Sequence, residues 1–204
     1  RERSLTDYLR QERPRRVHPP GAISSYSNYG AGLAGEAVSY VSGKPFEQVI
    51  YDEIFGPLKM DHSTFREPRP QREGLAEPMA ANLARDVSEG YRWTGDSFEP
   101  RPYEYIGHIA PAGSASSTAS DMARYMLALL NDGNLDGVTL YGPATVKALK
   151  TPIRATPKGI NGWRHGFVEV SLPGGHAGFG HPGATLSFMS NMVLVPDLDL
   201  GIFI

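Results

Sequence analysis

The chain has 204 residues, of which 40% are hydrophobic and 21% charged, and its formal net charge at pH 7 is −2. These values fit one globular domain or a large part of one, and they give no reason to expect a nucleic acid or a membrane surface as partner. Cysteine is absent, which excludes disulfide frameworks and thiolate metal sites and leaves the compartment undetermined. No apolar run approaches the ~18 residues of a membrane span.

The first segment combines a short helix with many arginines. Ser4 and Asp7 have the spacing of a helix-capping box, which predicts a short helix after Ser4. Six arginines, Arg1 included, occur among the first 16 residues, but acidic residues interrupt them and no aromatic ladder accompanies them. We therefore interpret this segment as a solvated face and not as a nucleic-acid-binding arm.

The tripeptide Tyr26-Ser27-Asn28 lies where a Pro/Gly turn gives way to a helical pattern. Ser27 or Asn28 would cap the helix. The N–H groups and the dipole of a helix N-terminus also favour negative charge, so a phenol placed there would lose its proton more easily than in water. Small and apolar residues follow at helical spacing as far as Gly43, which predicts a buried helix, and an amphipathic helix is expected over residues 45–56.

Residues 61–111 lose this periodicity among Pro, Gly, Arg and Glu. An irregular stretch of this length tends to line a functional site or to cover one. Its aromatic side chains fit a substrate-binding wall and the packing of a β-hairpin equally well. They are Tyr91, Trp93, Tyr103 and Tyr105.

Helices and then strands are expected in the remainder. Thr118 and Asp121 form a capping box, and Pro143 fits the first position of a further helix. Strand patterns cover residues 163–170, 186–195 and 200–204, and the second is apolar on both faces, as a central strand is. Residues 1–150 are thus mainly helical and irregular, residues 160–204 form strands, and the predicted class is α+β, with a helical region packed on an antiparallel sheet.

The glycine-rich segment 174–183 contains a formal G-x-G-x-x-G from Gly178 to Gly183. We reject dinucleotide binding, because a strand pattern follows these glycines where the fingerprint needs a helix N-terminus. A metal site is also rejected, because the spacing of the nearby histidines matches no helical ligand pair. His181 differs from the others, since it precedes a buried strand and Gly183 would let another group approach the backbone closely.

Four motifs occur in a fixed order: Tyr26-Ser27-Asn28 opening a helix, Pro111-Ala112-Gly113, the run Ser117–Ala123, and His181-Pro182-Gly183 before a strand. This set resembles the serine β-lactamase-related hydrolases, a family of class C β-lactamases, D-amino-acid-specific peptidases and carboxylesterases with the penicillin-binding-protein fold. The resemblance runs over nearly the whole chain. It implies part of one β-lactamase/transpeptidase-like domain, incomplete at both ends, in a periplasmic, secreted or membrane-anchored protein.

The resemblance also implies a role for each motif and no cofactor. Tyr26 corresponds to the general base or proton shuttle for a serine nucleophile, and Asn28 to the asparagine that orients the substrate. His181 and Gly183 correspond to the family's K-T-G element in its H-x-G form, which borders the site. Ala184 would supply an oxyanion-hole N–H, a type of donor whose loss costs ~3 kcal/mol. We expect the phenol and the imidazole to face one shared cleft.

The family's nucleophilic motif S-x-x-K is missing from the chain. No serine occurs three positions before any of the five lysines, which are residues 44, 59, 147, 150 and 158. We therefore expect the nucleophile in an N-terminal segment outside these residues and predict that the 204 residues alone hydrolyse nothing. The energetics agree with this expectation. A free tyrosine has a pKa near 10, so a phenolate that acts as a base at pH 7 must be stabilised by ~4 kcal/mol relative to the neutral phenol. A helix end supplies ~2 kcal/mol at best.

The function expected is that of a serine hydrolase that forms an acyl-enzyme with a small-molecule ester or a D-amino-acid amide or peptide. Histidine at 181 favours these substrates over β-lactams, because a lysine suits a β-lactam carboxylate and a histidine is only partly charged near neutral pH. Two alternatives stay open. They are a class C-like β-lactamase and a non-catalytic, penicillin-recognising module of the same fold.

Overall fold

The computed structural model describes residues 3–157 and 159–204; Arg1, from the arginine-rich segment, and Lys158 lie outside the described residues. The chain divides into two compact units. The first comprises the residues up to Gly56, Asp61–Ser117 and Thr185–Ser187, and the second comprises Pro57–Met60, Thr118–Ala184 and Phe188–Ile204. Among the described residues no helix is both long and apolar enough to cross a membrane.

The first unit is built mainly from short helices and irregular segments. Its elements are α1 (Leu5–Gln11), α2 (Asn28–Ser42), α3 (Phe46–Ile50), a π-helical turn (Tyr51–Phe55), α4 (Ala81–Arg85), β1 (Gly90–Trp93), β2 (Phe98–Arg101) and a 3-10 helix (Gly107–Ala112). The predicted caps are confirmed: the Ser4 hydroxyl accepts a hydrogen bond from the Asp7 N–H at 3.1 Å. Gly43 ends α2 in the left-handed conformation, with φ of 69°.

Helix α2 packs on the 3-10 helix through glycine. A Cβ added at Gly35 would overlap the ring of Pro111, and one added at Gly32 would lie 3.0 Å from the side chain of Ile109. The prediction of a buried helix is wrong for the rest of α2, because Leu33 is 53% exposed and Val41 85% exposed. The apolar periodicity identified the small residues correctly, but only the glycine-lined face is covered within this unit.

The irregular stretch is held in place by long-range hydrogen bonds. Thr64 and Ser116 exchange two backbone hydrogen bonds, of 2.9 and 2.8 Å. The aromatic rings of Trp93 and Phe98 pack 4.9 Å apart across the β1–β2 hairpin. Hairpin packing therefore accounts for Trp93.

The second unit places helices on a sheet. Its elements are α5 (Ala119–Leu130), β3 (Asn134–Leu135), β4 (Val138–Thr139), α6 (Pro143–Lys150), β5 (Trp163–Arg164), β6 (Phe167–Ser171), β7 (Ala177–Ala184), β8 (Met189–Val195) and β9 (Leu200–Phe203), with short 3-10 turns at Pro173–Gly175 and Pro196–Leu198. Thr118 caps α5 through the Asp121 N–H, and Pro143 opens α6, as predicted.

Strands β5 to β9 form one antiparallel sheet in sequence order. Met126 and Leu129 of α5 pack with Phe167, Phe179 and Leu194 of the sheet in one buried cluster. These apolar side chains alternate along their strands with residues of the opposite face, as a half-buried sheet requires. The α+β class and the antiparallel sheet are confirmed.

Two strand predictions need correction. Residues 163–170 are not one strand but the β5–β6 hairpin, which turns at Gly166 with φ of 88°. The glycine-rich segment contains β7, the middle strand, so His181 lies inside a strand and not at its start. A Cβ at Gly180 would overlap the carbonyl group of Met192 on β8. Glycine at position 180 therefore lets these two strands approach each other, and the glycines also hide the apolar alternation by which a strand is predicted.

Candidate active site

The first motif lies at the N-terminus of α2. Ser27 is the N-cap, and its hydroxyl accepts a hydrogen bond from the Gly30 N–H at 3.0 Å. Asn28 is the first residue of the helix, and Tyr26 precedes the cap with its side chain 62% exposed. The phenol and the amide thus flank a capped helix end, where the dipole favours an anion.

The second motif supports the first. Pro111 lies in the 3-10 helix, and its ring packs against Gly35 of α2, the helix that begins at Asn28 after the Ser27 cap. In the third motif, Ser117–Ala123, the hydroxyl of Ser117 lies 2.7 Å from that of Ser63. Pro111 thus contributes a packing contact and Ser117 a hydrogen bond.

His181 lies in the second unit, half-buried in β7, opposite Met192 of β8. Its Nδ1 is 2.5 Å from the carbonyl oxygen of Pro182. The tautomer with a proton on Nδ1 donates to that oxygen, and the neutral ring then keeps its acceptor lone pair on Nε2. The imidazole ring also packs against the indole of Trp163, with the centroids 6.2 Å apart and the planes tilted by 54°.

Gly183 and Ala184 end β7, where they pair with Ser190 and Met189 of β8 and are exposed. The segment after them, which belongs to the first unit, is anchored by the irregular stretch. There the Leu186 N–H donates a hydrogen bond of 2.7 Å to the carboxylate of Glu104. This contact, 82 positions apart in the chain, has no signal in the sequence.

The structure thus brings Tyr26 together with Asn28 in one unit and His181 together with Gly183 and Ala184 in the other. In the described part of the chain, no group of three or more His, Asp or Glu side chains is arranged to hold a metal ion.

The profile of the Beta-lactamase family matches residues 1–204. The chain belongs to the Beta-lactamase family. Penicillin-binding protein 4 of Amycolatopsis lactamdurans is 25% identical over 183 residues, which are 87% of this chain and 45% of that protein. N-acetylmuramyl-L-alanine amidase of Bacillus subtilis is 23% identical over 220 residues, which cover 96% of this chain and 48% of the relative. The chain therefore spans less than half the length of these two curated relatives.

The fold is that of the Beta-lactamase family as well. The octameric penicillin-binding protein homologue from Pyrococcus abyssi superposes with a TM-score of 0.78 at 20% identity, over 98% of this chain and 43% of that one. The resemblance inferred from the four motifs is therefore confirmed at the level of family and fold.

The sequence did not reveal that one side chain, Trp163, lies beside the motif residue His181. Trp163 was assigned only to the start of a strand, yet its ring contacts that of His181. A tryptophan ahead of a hairpin turn carries no local signal for this contact, because the histidine lies 18 positions further along the chain, beyond the whole of strand β6.

Proposed function

We propose that the protein is a serine hydrolase that works through an acyl-enzyme and acts on esters or on D-amino-acid amides and peptides. The observation that carries the proposal is the placement of Tyr26 and Asn28 at the two sides of the Ser27 cap of α2. Membership of the Beta-lactamase family, the H-x-G sequence in β7 and the amidase among the relatives support it.

In the proposed reaction, the phenolate of Tyr26 takes the proton of a serine hydroxyl as the serine oxygen attacks the substrate carbonyl. The carbonyl oxygen becomes an oxyanion, which the Ala184 N–H stabilises. When the bond to the leaving group breaks, the phenol returns the proton to that group, and an ester of the serine remains. Water then repeats the sequence and releases the acid. These residues would contribute to catalysis in two ways, by electrostatic stabilisation of the oxyanion and by proton transfer.

The substrate side rests on His181 and Asn28. Asn28 presents an amide that donates to a substrate carbonyl and accepts from a substrate N–H. An imidazole is a weaker average cation than a lysine near neutral pH, so the site is less suited to a permanent carboxylate partner. This difference favours neutral esters and amides over β-lactams.

The S-x-x-K motif does not occur in these 204 residues, so the test uses the full-length natural protein. Its hydrolysis of nitrophenyl esters, D-alanyl amides and a chromogenic cephalosporin is compared, and the acyl-enzyme is trapped and located by mass spectrometry. We expect turnover of an ester or a D-alanyl amide, and none with the isolated 204 residues. Turnover by the isolated chain with a covalent label inside it would overturn the assignment of the nucleophile.

One observation supports the two alternative functions. Among the relatives is a penicillin-binding protein, which fits a class C-like β-lactamase or a binding module without turnover. Faster hydrolysis of the cephalosporin than of the other two substrates would favour the β-lactamase. A stable penicillin adduct without hydrolysis of any of the three would favour the binding module.

A further inference from the structure

His181 is a side chain whose orientation needs support. The χ2 torsion of a histidine is broad and roughly two-fold, so the backbone of β7 alone does not decide where each ring nitrogen points. The contacts of this ring include two that bear on its orientation: Nδ1 approaches the carbonyl oxygen of Pro182 at 2.5 Å, and the indole of Trp163 packs on the ring with a centroid distance of 6.2 Å. The carbonyl oxygen of Pro182 determines which ring nitrogen faces the backbone, and the indole of Trp163 limits the rotation of the ring plane.

Trp163 is itself fixed on a rigid hairpin. Its carbonyl accepts a hydrogen bond of 2.9 Å from the Ile153 N–H, and its neighbour Arg164 donates one of 2.8 Å to the carboxylate of Glu169 on β6. The same guanidinium lies 5.7 Å from the ring centroid of Phe179, inside the buried cluster of the sheet. The indole therefore projects from an element that packing, an ion pair and backbone bonds hold together.

We propose that Trp163 is a positioning residue that holds the imidazole of His181 in the orientation in which the hydrolase uses it. The inference rests on the proposed function for the role of His181 in the reaction, and on the ring contact alone for the positioning. Removal of the indole face takes away one of the constraints on χ2, so Nε2 samples a wider range of directions, including ones that do not meet the substrate. Misplacement of a reacting or binding group by about 1 Å costs up to ~100-fold in rate, so a partial loss of order is expected to cost ~10-fold.

Nuclear magnetic resonance of the His181 imidazole in the full-length protein tests the contact independently of any activity assay. The ring current of the indole displaces the His181 signals, and Trp163→Leu is expected to return them towards ordinary positions and to broaden them. Trp163→Phe, which keeps a ring, is expected to retain part of the displacement. Trp93, which is 55% exposed on the hairpin of the other unit, provides the matched control. Trp93→Leu should leave the imidazole signals unchanged, and unchanged signals in Trp163→Leu would overturn the proposal.

The consequence is tested by a double-mutant cycle with His181→Gln. Because Trp163 acts through His181, Trp163→Leu should lower kcat/KM ~10-fold in the natural protein and cause no further loss in the His181→Gln background. Trp163→Phe should recover most of the activity, and a thermal melt of each variant verifies its folding. Losses that add in the double variant would overturn the positioning role.

Two further results separate the proposals. If His181→Gln lowers kcat/KM while Trp163→Leu does not, the positioning role is wrong and the proposed function stands. If His181→Gln retains full activity, the proposed role of His181 is wrong, and the positioning proposal fails with it.

Discussion

Gly35 of α2 and Pro111 of the 3-10 helix are packed so closely that a Cβ at position 35 would lie 2.7 Å from Cβ of the proline. The contact joins α2, which begins at Asn28 directly after Tyr26 and the Ser27 cap, to the segment of the second family motif. Because the opposing atoms belong to a proline ring, neither side can rotate away.

We expect Gly35→Ala to destabilise the protein by about 1–3 kcal/mol, the usual cost of an extra methyl group in a packed contact. Gly30→Ala on the same helix is the control, since its Cβ would meet nothing closer than 3.5 Å. That variant should gain up to about 1 kcal/mol from helix propensity. Urea unfolding midpoints measure both, and a shift of the same sign and size in the two variants would contradict the packing argument.

Two glycines of β7 should respond differently to alanine. A Cβ at Gly180 would be 2.7 Å from the carbonyl carbon of Met192, which is backbone, whereas one at Gly183 would be 2.6 Å from the hydroxyl of Ser190, which can rotate. Gly180→Ala should therefore cost more than about 3 kcal/mol or prevent folding.

Gly183→Ala should cost less than about 1 kcal/mol, and Ser190→Ala in the same chain should relieve that cost. Thermal melts of the single and double variants measure these differences. Equal destabilisation at positions 180 and 183 would show that the strand spacing is not what selects glycine at 180.

Local chemistry explains what the sequence could predict. The box of Ser4 with Asp7, the N-cap at Ser27 and the proline at the start of α6 each depend on residues within one helical turn, so their pattern is visible in the chain. The family motifs are also short runs. The sequence alone therefore predicts the family and the fold.

Long-range packing explains what the sequence could not predict. The glycines of β7 gave no strand pattern, because the reason for them, the close approach of β8, lies on another strand. The exposed face of α2 has the same composition as a buried one, and composition does not say what covers it. The contact between Trp163 and His181 likewise depends on the hairpin turn at Gly166, which the sequence analysis took for strand.

Glu67 connects two distant parts of the irregular stretch. Its side chain accepts a hydrogen bond of 2.5 Å from the Ile106 N–H, 39 positions away, and only 3% of the residue is exposed. Glu67→Ala leaves the half-buried Ile106 N–H without this acceptor and should cost about 1–3 kcal/mol.

Glu67→Gln keeps an acceptor oxygen and should cost less than Glu67→Ala. The free energies of urea unfolding compare the two variants. The hydrogen bond would be unimportant if the alanine variant were as stable as the glutamine variant and the unchanged protein.

Tyr125 should make stability fall at alkaline pH. Its burial against the core of the second unit, and to a smaller extent the neighbouring Tyr141, raises the pKa of Tyr125 to about 12. The unfolded chain, with a pKa near 10, loses the phenolic proton first, so the stabilising contribution is complete below pH 10 and is lost as the pH rises through 12. Between pH 9 and 11 the loss from this group is about 1.4 kcal/mol.

Tyr125→Phe keeps the packed ring and removes the titration, so its free energy of unfolding should fall less between pH 9 and 11 than that of the unchanged protein. Urea unfolding at the two pH values gives the comparison. Burial also raises the pKa of Tyr141, but Tyr141 occurs in both proteins, so its contribution to the pH dependence cancels in the difference. A parallel decline in the two proteins would contradict the assignment to Tyr125.

Tyr26→Phe tests the proton-transfer role of the phenol in the full-length natural protein. Loss of a general acid–base group typically lowers the rate by ~100-fold or more, and the ring that remains should leave KM little changed. Tyr26 is 62% exposed, so the melting temperature should hardly change. The matched control is Tyr40→Phe, which removes a phenol from the same helix at a position 89% exposed.

We expect kcat of Tyr40→Phe to equal that of the unchanged protein, because Tyr40 lies three turns along α2 from the capped end. A proton shuttle at position 26 predicts a loss in kcat that is specific to Tyr26→Phe and larger for poor leaving groups, which need the returned proton most. An equal loss in both variants would point to a change in the helix, and full activity of Tyr26→Phe would remove the phenol from the reaction.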